Sequence, residues 1–338
     1  MMTAIQEIAS DGEPLELREI PDPTPGPGEI RVRVAACGVC HTELDEIEGR
    51  AAPPRLPVIP GHEVVGTIDM VGPNVTLHAV GARVGVGWFY SSCGGCRFCR
   101  RGLPNLCPEF RATGRDAHGG YAEYVVVPEG SAYAVPPVFE DTEAAPLLCA
   151  GGVGYRSLVL TGLRDGQALG FYGFGASAHL VIQMARHEFP GASLAVFTRS
   201  KSKESFAESL GADWVGRPGS DPPWSLDAII DTTPVYRPLA DGLPLLAPAG
   251  RFVINAIRKT ETDKEVLAEI GYDTHLWMER EVKSVANVTP DDIRNALRVA
   301  ADIPIKPSVT TYPLEDANRA LTDLKEGRAR GASVLVFE

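Results

Sequence analysis

Short runs of alternating apolar and polar residues fill the first 140 residues of the chain. Each run ends at Gly, Pro or Asn, as half-buried β-strands do where they enter turns. The runs are IRVRVAACGVC, HEVVGTIDMVG, ARVGVGW and GYAEYVVVP. The pattern therefore predicts an all-β region with loops.

The pattern changes near residue 141, where helical stretches begin to alternate with short apolar strands. Residues 141–163 have a helical pattern with a glycine interruption, and residues 167–189 have the pattern of strand, glycine turn and helix. A further helix, KSKESFAESLG, ends at Gly211. Further strands are predicted at SLAVFT, ADWVG, LDAIIDTT, GRFVINA and VKSVANV. Strands that alternate with helices indicate a parallel, doubly wound sheet.

The segment after Val288 combines both patterns. It predicts a helix at TPDDIRNALRVAADI, a strand around residues 308–313, a helix at LEDANRALTDLKEG and a final strand at ASVLVFE. No internal repeat or low-complexity tract interrupts the sequence.

Length and composition narrow the class of protein. A chain of 338 residues is too long for one ordinary hydrophobic core and long enough for two domains. A hydrophobic content of 44% and a charged content of 22% are typical of a globular protein. The net charge of −12 argues against nucleic acid or an anionic membrane as a partner.

The chain shows no sign of export or membrane insertion. Its N-terminal segment lacks an apolar run behind a basic segment, and no stretch of about 18 apolar residues occurs. We therefore expect a cytoplasmic protein. Thiols stay reduced in that compartment, where clustered cysteines are metal ligands or catalysts more often than disulfides.

Four cysteines lie close together in the run CGGCRFCRRGLPNLC, and we call them the cysteine quartet: Cys93, Cys96, Cys99 and Cys107. Each two-residue gap closes a tight turn, so neighbouring thiolates converge on one tetrahedral ion, and the longer loop returns the fourth. Four thiolates leave a zinc ion no open position, so the expected role is structural. A disulfide cluster and an iron–sulfur cluster are the alternatives.

The run GFYGFGASA supplies Gly173, Gly175 and Ala178 in a G-x-G-x-x-A pattern. It follows a predicted strand and opens a predicted helix, which is the context of a dinucleotide-binding turn. Gly173 permits the tight turn, Gly175 lets backbone approach a pyrophosphate, and Ala178 keeps the helix close to the sheet. The alternative is an ordinary glycine-rich turn between strand and helix.

The end of the second strand of this region bears on the choice of cofactor. An NAD site usually places Asp or Glu there to hold the ribose hydroxyls. This chain has Phe197-Thr198-Arg199-Ser200-Lys201, without an acid. Thr198, Arg199 and Ser200 suit a 2′-phosphate, so NADP(H) is favoured over NAD(H). Alternatively, Arg199 and Lys201 only begin a solvated helix, and NAD binds without the acid.

A second set of candidate metal ligands, Cys40, His62 and Cys149, is dispersed along the chain, and Glu63 directly follows His62. We call these four residues the mixed cluster. Two thiolates and one imidazole with an open position are the donor set of a catalytic zinc ion. Such an ion lowers the pKa of an alcohol, so that a hydride can leave to nicotinamide. Any one of these cysteines alone is as well explained as a small buried hydrophobic residue.

With these motifs the chain resembles the zinc-dependent alcohol dehydrogenases of the medium-chain dehydrogenase/reductase superfamily. The resemblance runs nearly end to end, through CGVCHTEL, PGHEVVGTI, GARVGVGW, the cysteine quartet, HGGYAEYVVVP, PLLCAG and YGFGASAHL. It implies a GroES-like catalytic domain at 1–147, completed by 290–338, with an inserted Rossmann domain at 148–289. It also implies an active site in the cleft between the domains and a homo-oligomer, a dimer or tetramer.

The resemblance also implies roles for individual residues. Cys40, His62 and Cys149 match the catalytic zinc ligands, and Glu63 matches the neighbouring carboxylate that can swing onto the metal. Thr42 matches the hydroxyl that takes the alcohol proton, and His41 the residue beside the cofactor phosphates. Cys37 has no ligand role and is expected to be a small buried residue.

Three positions near the proposed zinc depart from the family pattern or have two interpretations. Glu43 stands where the family usually has Asp, which fixes the tautomer of the zinc histidine. Asp45 stands where a His commonly ends the proton relay, so the relay ends at Asp45 or at water. Trp88 lines a narrow substrate pocket for small alcohols, or it packs in the core.

The sequence therefore predicts an NAD(P)-dependent alcohol dehydrogenase that acts on a small alcohol, aldehyde or ketone. A polyol or formaldehyde-type activity of the same superfamily stays possible. Zinc-free quinone or enoyl reductases lack the mixed cluster as a set, which argues against them. An alternative function from a different class of protein is a non-catalytic NADPH-binding redox sensor that uses zinc–thiolates as its switch.

Overall fold

The structure is a computed structural model, and it describes residues 3–8, 14–329 and 331–337. Parts of the N-terminal segment inspected for a leader, and Glu338 of the predicted last strand, lie outside these ranges. The chain divides into two compact units, Met1–Gly152 with Asn287–Glu338, and Val153–Ala286. Among the described residues, no helix combines the length and apolarity needed to cross a membrane.

Strands and helices follow one another in the order expected for an α/β chain with an all-β beginning. The strands are β1 (Thr3–Ile8), β2 (Leu15–Ile20), β3 (Glu29–Val39), β4 (Val64–Val71), β5 (Arg83–Val86), β6 (Phe89–Ser91), β7 (Arg111–Ala112), β8 (Tyr124–Pro128), β9 (Ala132–Ala134), β10 (Ala168–Tyr172), β11 (Ser193–Phe197), β12 (Trp214–Gly216), β13 (Leu226–Asp231), β14 (Leu246–Ile254), β15 (Glu281–Ser284), β16 (Val309–Pro313) and β17 (Ala332–Val336). The α-helices are α1 (His41–Ile47), α2 (Asp141–Ala144), α3 (Ala150–Thr161), α4 (Ala178–Glu188), α5 (Lys201–Ser209), α6 (Arg237–Gly242), α7 (Pro290–Asp302) and α8 (Ala317–Lys325). Short 3-10 turns lie at Cys99–Arg101, Pro104–Leu106, Glu129–Ser131, Ala145–Leu148, Leu243–Leu245, Glu261–Glu269 and Leu314–Asp316, and a π-helical turn lies at Tyr272–Leu276.

A seven-stranded mixed sheet organises the first unit. Its order is β16-β17-β3-β4-β5-β9, and β8 also pairs with β3. The long strand β3 is antiparallel to β4, β8 and β17. Alternate residues of β3, including Ile30, Val32 and Val34, are buried, because successive side chains of a strand point to opposite faces. These residues belong to an apolar core that also contains Tyr121 and Leu335.

A six-stranded parallel sheet organises the second unit. Its order is β12-β11-β10-β13-β14-β15, and every neighbouring pair is parallel. Counted within the unit, this is the doubly wound order 3-2-1-4-5-6. The order reverses between β10 and β13, and in such sheets ligands bind beyond the carboxyl ends of the strands at that point.

The predicted elements are largely confirmed. The four predicted strands of the first region are β3, β4, β5 and β8, and the parallel sheet follows the predicted alternation. The sequence pattern missed α1, because it has only seven residues and its N-cap is Cys40, not one of the residues that commonly cap helices. It also missed the hairpin β1–β2, the ribbon β6–β7 and the short strand β9.

Candidate metal centres and cofactor site

The cysteine quartet gathers on the segment between β6 and β7, in two short 3-10 turns and the loop before them. One ligand atom from each cysteine lies within 4.8 Å of every other. The Sγ atoms of Cys93 and Cys107 are 3.4 Å apart, and those of Cys96 and Cys99 are 3.5 Å apart. These distances are far beyond the ~2 Å of a disulfide bond. All seven cysteines of the chain are free thiols.

The sulfur positions fit a tetrahedral zinc ion. Thiolates at about 2.3 Å from such an ion lie about 3.8 Å from one another. Backbone N–H groups already point at the sulfurs, since Cys99 N donates to Cys96 Sγ at 3.5 Å and Glu109 N donates to Cys107 Sγ at 3.3 Å. The backbone N–H of Cys99 lowers the pKa of Cys96 to about 6, which favours the thiolate that a metal needs.

The mixed cluster forms within the first unit from three separate segments. Cys40 is the N-cap of α1, His62 and Glu63 directly precede β4, and Cys149 follows the 3-10 turn Ala145–Leu148. Their ligand atoms lie within 4.8 Å of one another, and Cys40 Sγ is 3.6 Å from His62 Nε2. The side chains of His62 and Glu63 are buried. Sulfur and imidazole donors in this arrangement fit a zinc ion with an open position.

Glu43 contacts both the Cys40 segment and the His62 segment of this cluster. Its Oε2 accepts a hydrogen bond from Cys40 N at 2.9 Å, which completes the capping box of α1. Its Oε1 lies 2.7 Å from His62 Nδ1, and its side chain is fully buried. A carboxylate at Nδ1 keeps the proton there and leaves Nε2 as the ligand atom. The extra methylene of Glu relative to Asp is compatible with this contact.

Burial and neighbouring charges shift the pKa values inside the mixed cluster. Burial raises the pKa of Glu63 to about 7, although His62 acts in the opposite direction. Burial lowers the pKa of His62, but Glu43 and Cys40 raise it more, so the result is well above the usual value. The hydrogen bond with Cys149, burial and Glu43 together raise the pKa of Cys40 well above its usual value. A divalent cation would compensate this accumulation of negative charge.

Gly38 of β3 makes room for the carboxylate of Glu63. A Cβ atom at this position would overlap the Oε2 and Cδ atoms of Glu63. The backbone N–H of Gly38 also donates to the Glu63 carbonyl at 3.0 Å. The strand therefore approaches Glu63 as closely as only glycine allows.

The other predicted residues of the first unit lie on α1, on β3 and directly before β6. Thr42 is buried, and its backbone N–H donates to Cys40 Sγ at 3.3 Å. His41 is the exposed first residue of α1. Trp88 is buried with its ring edge-on to His62, at 4.9 Å between ring centroids. Cys37 is fully buried in the apolar core, as expected.

The carboxylate of Asp45 forms an ion pair with Arg50. This carboxylate is buried, and Oδ1 accepts a hydrogen bond from Arg50 Nε at 2.6 Å. The backbone carbonyl of Asp45 also accepts from Ala51 N at 2.9 Å. This geometry ties Asp45 to the chain just beyond the end of α1.

The glycine turn of the second unit lies where β10 ends and α4 begins, at the reversal of strand order. Gly173 has φ of +82°, and a Cβ atom there would lie 2.9 Å from Thr232 and Thr233 atoms. Apart from Gly175 itself and its two chain neighbours, no heavy atom of the described residues lies within 4 Å of the Cβ position of Gly175, so a ligand can approach the backbone there. Ala178 is fully buried at the start of α4. The turn thus has the form that a pyrophosphate needs at a helix N-terminus.

The segment after β11 presents hydroxyls and a cation. Thr198 is buried, and its Oγ1 accepts a hydrogen bond from Ser200 N at 3.3 Å. Ser200 is the N-cap of α5, and the side chain of Arg199 is exposed. No ion pair of Arg199 occurs among the residues that the structure describes, so its guanidinium can meet a phosphate.

Two polar features near these sites were not found from the sequence. Glu46 on α1 is buried, and neither of its carboxylate oxygens has a hydrogen-bond partner among the described residues. Asn255, just after β14, donates from Nδ2 to Ser177 Oγ beside the glycine turn, at 3.1 Å. Only the missed helix α1 could have indicated that Glu46 faces inward, and the Asn255–Ser177 contact spans 78 residues.

Two family models match the chain. The model of the alcohol dehydrogenase GroES-like domain matches residues 26–137, and the model of a zinc-binding dehydrogenase matches residues 197–335. Together they span most of the sequence, including the cysteine quartet and most of the parallel sheet.

Individual proteins match over nearly the full length. A probable alcohol dehydrogenase of Mycobacterium tuberculosis is 43% identical over 332 residues, which are 97% of this chain and 94% of that protein. A crystal structure of an NAD-dependent alcohol dehydrogenase superposes with a TM-score of 0.87 at 28% identity, over 99% of this chain and 100% of that one. The CAD of Helicobacter pylori, complexed with NADP(H), superposes with a TM-score of 0.85 at 25% identity, over 99% and 98%.

Proposed function

The chain belongs to the zinc-dependent alcohol dehydrogenases of the medium-chain dehydrogenase/reductase superfamily, and on this premise we propose how its residues serve that activity. It is an NAD(P)-dependent oxidoreductase that transfers hydride between an alcohol and a nicotinamide cofactor. We propose two zinc ions per chain, a catalytic one in the mixed cluster and a structural one in the cysteine quartet. The observation that carries this proposal is the convergence of each ligand set to within 4.8 Å.

The residues of the mixed cluster divide several tasks. When bound, zinc supplies Lewis acidity toward the substrate oxygen, and nicotinamide accepts or donates the hydride. Cys40, His62 and Cys149 would hold the ion, and the carboxylate of Glu63 lies close enough to join them. Glu43 keeps the proton of His62 on Nδ1 from 2.7 Å, so that Nε2 remains a ligand.

Thr42 and Trp88 act on the substrate in this proposal. The hydroxyl of Thr42 takes the proton of the alcohol, and the bond from Thr42 N to Cys40 Sγ at 3.3 Å holds the residue beside the cluster. The buried ring of Trp88, edge-on to His62, forms an apolar wall that favours small or unbranched alcohols. Since Arg50 forms an ion pair with Asp45, we propose that the proton passes from the Thr42 hydroxyl to water rather than to Asp45.

We propose that the cofactor is NADP(H) rather than NAD(H). The glycine turn at Gly173, Gly175 and Ala178 binds the pyrophosphate, with His41 beside the phosphates. Thr198, Arg199 and Ser200 bind the 2′-phosphate. Support comes from the exposed Arg199 at the end of β11 and from the lack of an acid in residues 197–201. One similar structure, the Helicobacter pylori protein, holds NADP(H).

We propose a catalytic domain at 1–147 with 290–338 and a dinucleotide-binding domain at 148–289. The two compact units, which divide near these boundaries, support this division. The protein is proposed to be cytoplasmic, in keeping with seven free thiols, and to bind a small alcohol or aldehyde rather than nucleic acid or membrane. The net charge of −12 supports the last point.

A homo-oligomer, dimer or tetramer, is the proposed assembly. The edge strand β15 of the parallel sheet is exposed along all four residues. Large apolar side chains nearby in the sequence are also exposed, with 62% for Tyr272, 54% for Trp277 and 49% for Met278. Exposed apolar side chains and an unpaired strand edge are each typical of subunit contacts. Light scattering coupled to size-exclusion chromatography measures the subunit number.

Metal analysis together with turnover tests the proposed function. We expect two zinc ions per chain and reduction of NADP or NAD that depends on an added alcohol, across a panel of primary and secondary alcohols. One tightly bound zinc ion without turnover of any alcohol or aldehyde would instead indicate the redox sensor. The same panel, run with both cofactors, identifies the substrate class and the cofactor preference.

A further inference from the structure

A groove in the first unit concentrates positive charge in a chain whose net charge is −12. Its volume is about 810 Å³, within the range of small-molecule sites. Three arginines, Arg55, Arg111 and Arg115, line it beside a single carboxylate, Asp116. Among the described residues, no ligand of the mixed cluster contributes to the lining, and neither does Trp88. The groove is therefore a separate feature of this unit.

Arg111 is held in place by an aromatic ring and a backbone carbonyl. Its guanidinium carbon lies 5.1 Å from the centroid of the Tyr90 ring. Its Nη2 donates a hydrogen bond to the carbonyl of Asp116 at 2.8 Å. Neither contact cancels its charge, because the ring and the carbonyl are both neutral. Arg111 therefore presents a positioned cation.

Arg115 has hydrogen-bonding capacity that its surroundings do not use. Its Nε is buried and has no hydrogen-bond partner among the described residues. Its Nη2 is 3.4 Å from Asp116 Oδ1, longer than a charge-assisted hydrogen bond. The other oxygen of Asp116 accepts from Ala112 N at 2.7 Å, which fixes this carboxylate within its own turn. One constrained carboxylate thus lies in a groove that three guanidinium groups line.

Glu46 is another acid close enough to interact with Arg115. Burial and the charge of Glu43 raise the pKa of Glu46 to about 9. Neither carboxylate oxygen of Glu46 has a hydrogen-bond partner among the described residues, so Asp116 is the carboxylate that pairs with Arg115.

Part of the lining of the groove is apolar. It consists of Pro54, Pro57, Val58 and Ile59, of which Val58 and Ile59 are themselves buried. A ligand that satisfies both the charged and the apolar part carries an anion at one end and a hydrocarbon or aromatic body at the other.

We propose that this groove binds an organic carboxylate as a ligand separate from the alcohol substrate. The carboxylate meets Arg111 and Arg115, whose planar guanidinium groups match its geometry. The apolar body lies against Pro57, Val58 and Ile59. A carboxylate fits better than inorganic phosphate, because phosphate leaves the apolar part of the lining without a partner.

Calorimetric titration of the purified enzyme with phenylacetate tests the proposal, with the neutral phenylacetamide as matched ligand. We expect phenylacetate to bind. The amide and inorganic phosphate should bind at least about tenfold more weakly, because the amide lacks the negative charge and phosphate lacks the apolar body. Arg115→Gln and Arg111→Gln should each weaken phenylacetate binding about tenfold or more. Arg100→Gln, on an exposed arginine outside the groove, should leave it unchanged.

Alcohol turnover without added carboxylate verifies that the arginine variants are folded, because neither residue belongs to the proposed catalytic set. Equal binding of amide and carboxylate would overturn the proposal, and so would unchanged affinity in both arginine variants. Phenylacetate binding that disappears in Cys40→Ser but persists in both arginine variants would place the ligand at the mixed cluster instead. An adequate zinc content with no alcohol activity would contradict the proposed function without bearing on the groove.

Discussion

The carboxylate of Glu43 lies 2.7 Å from His62 Nδ1 and at the same time caps the helix that begins at Cys40. One side chain therefore sets both the orientation of an imidazole ligand and the start of the helix that carries a thiolate ligand. The two segments are 22 residues apart in the sequence, from Cys40 to His62. Loss of such a carboxylate normally lowers metal affinity or activity about 10- to 100-fold.

Replacement of Glu43 by Gln tests this relationship. The variant keeps the size of the side chain but loses the charge that holds the proton on His62 Nδ1. We expect zinc affinity and kcat to fall about 10- to 100-fold, with the far-ultraviolet circular dichroism spectrum retained. Competition with a chelator measures the affinity. Glu48→Gln, one turn beyond on the same segment, is the control, and an equal loss in both variants would contradict the assigned role.

Cys40 and Cys37 form a matched pair of cysteines on adjacent segments. Cys40→Ala should remove one zinc ion per chain and abolish alcohol turnover, because the open-site ion serves chemistry rather than folding. Cys37→Ala should keep both ions and most of the activity, since Cys37 is buried in the apolar core. Zinc analysis and steady-state kinetics measure both outcomes. Full activity in Cys40→Ala would show that the ligand assignment is wrong.

The cysteine quartet should affect stability before it affects chemistry. Cys93→Ser should release one zinc ion and lower the melting temperature by several degrees, because a structural metal contributes directly to folding free energy. Arg101→Ala in the same segment should change neither quantity. Differential scanning calorimetry with zinc analysis checks the pair. An unchanged melting temperature in Cys93→Ser would contradict a structural role.

Arg199 should determine which nicotinamide cofactor is preferred. Arg199→Asp replaces a charge-assisted contact to the 2′-phosphate by repulsion, so KM for NADP should rise about 10- to 100-fold, with a smaller change for NAD. Lys203→Asp makes the same charge change on the next helical turn and serves as the control. Initial-rate kinetics with both cofactors measure the effect. Equal changes of both KM values in Arg199→Asp would refute the 2′-phosphate contact.

Glu46 should make stability decrease with rising pH. Burial raises its pKa from 4.5 to about 9, so the folded protein binds a proton that the unfolded chain has released between these values. The stability present below pH 4.5 is therefore lost progressively as the pH rises toward 9. Glu46→Gln should remove this dependence and stabilise the protein by up to a few kcal/mol at the alkaline end. Urea unfolding at several pH values checks the slope, and a slope unchanged by the substitution would contradict it.

Local patterns alone identified a large part of this protein. The cysteine quartet was recognised because its ligands lie within one short segment, where spacing along the chain determines distance in space. The parallel sheet was predicted because its buried strands are continuous apolar runs between amphipathic helices. The glycine turn was identifiable because a strand precedes it and a helix follows it.

The mixed cluster needed more than local patterns. Cys40 and Cys149 are far apart in the sequence, and only donor chemistry and the family resemblance joined them before the structure placed their ligand atoms together. The short helix α1 escaped prediction because seven residues contain too little periodicity to distinguish helix from loop. With α1 unknown, the inward direction of Glu43 and Glu46 was unknown as well.

The sequence by itself determined the family and the order of strands and helices, because each depends on residue type and on patterns along the chain. It also indicated two candidate ligand sets, one from local spacing and the other from residue types that lie far apart. Only the tertiary structure decided which acids take part. Glu43 contacts His62, Asp45 pairs with Arg50, and Glu46 remains buried without a hydrogen-bond partner among the described residues. These three acids lie within four residues of one another, and their different roles follow from the direction of each side chain on α1 and from what lies opposite it.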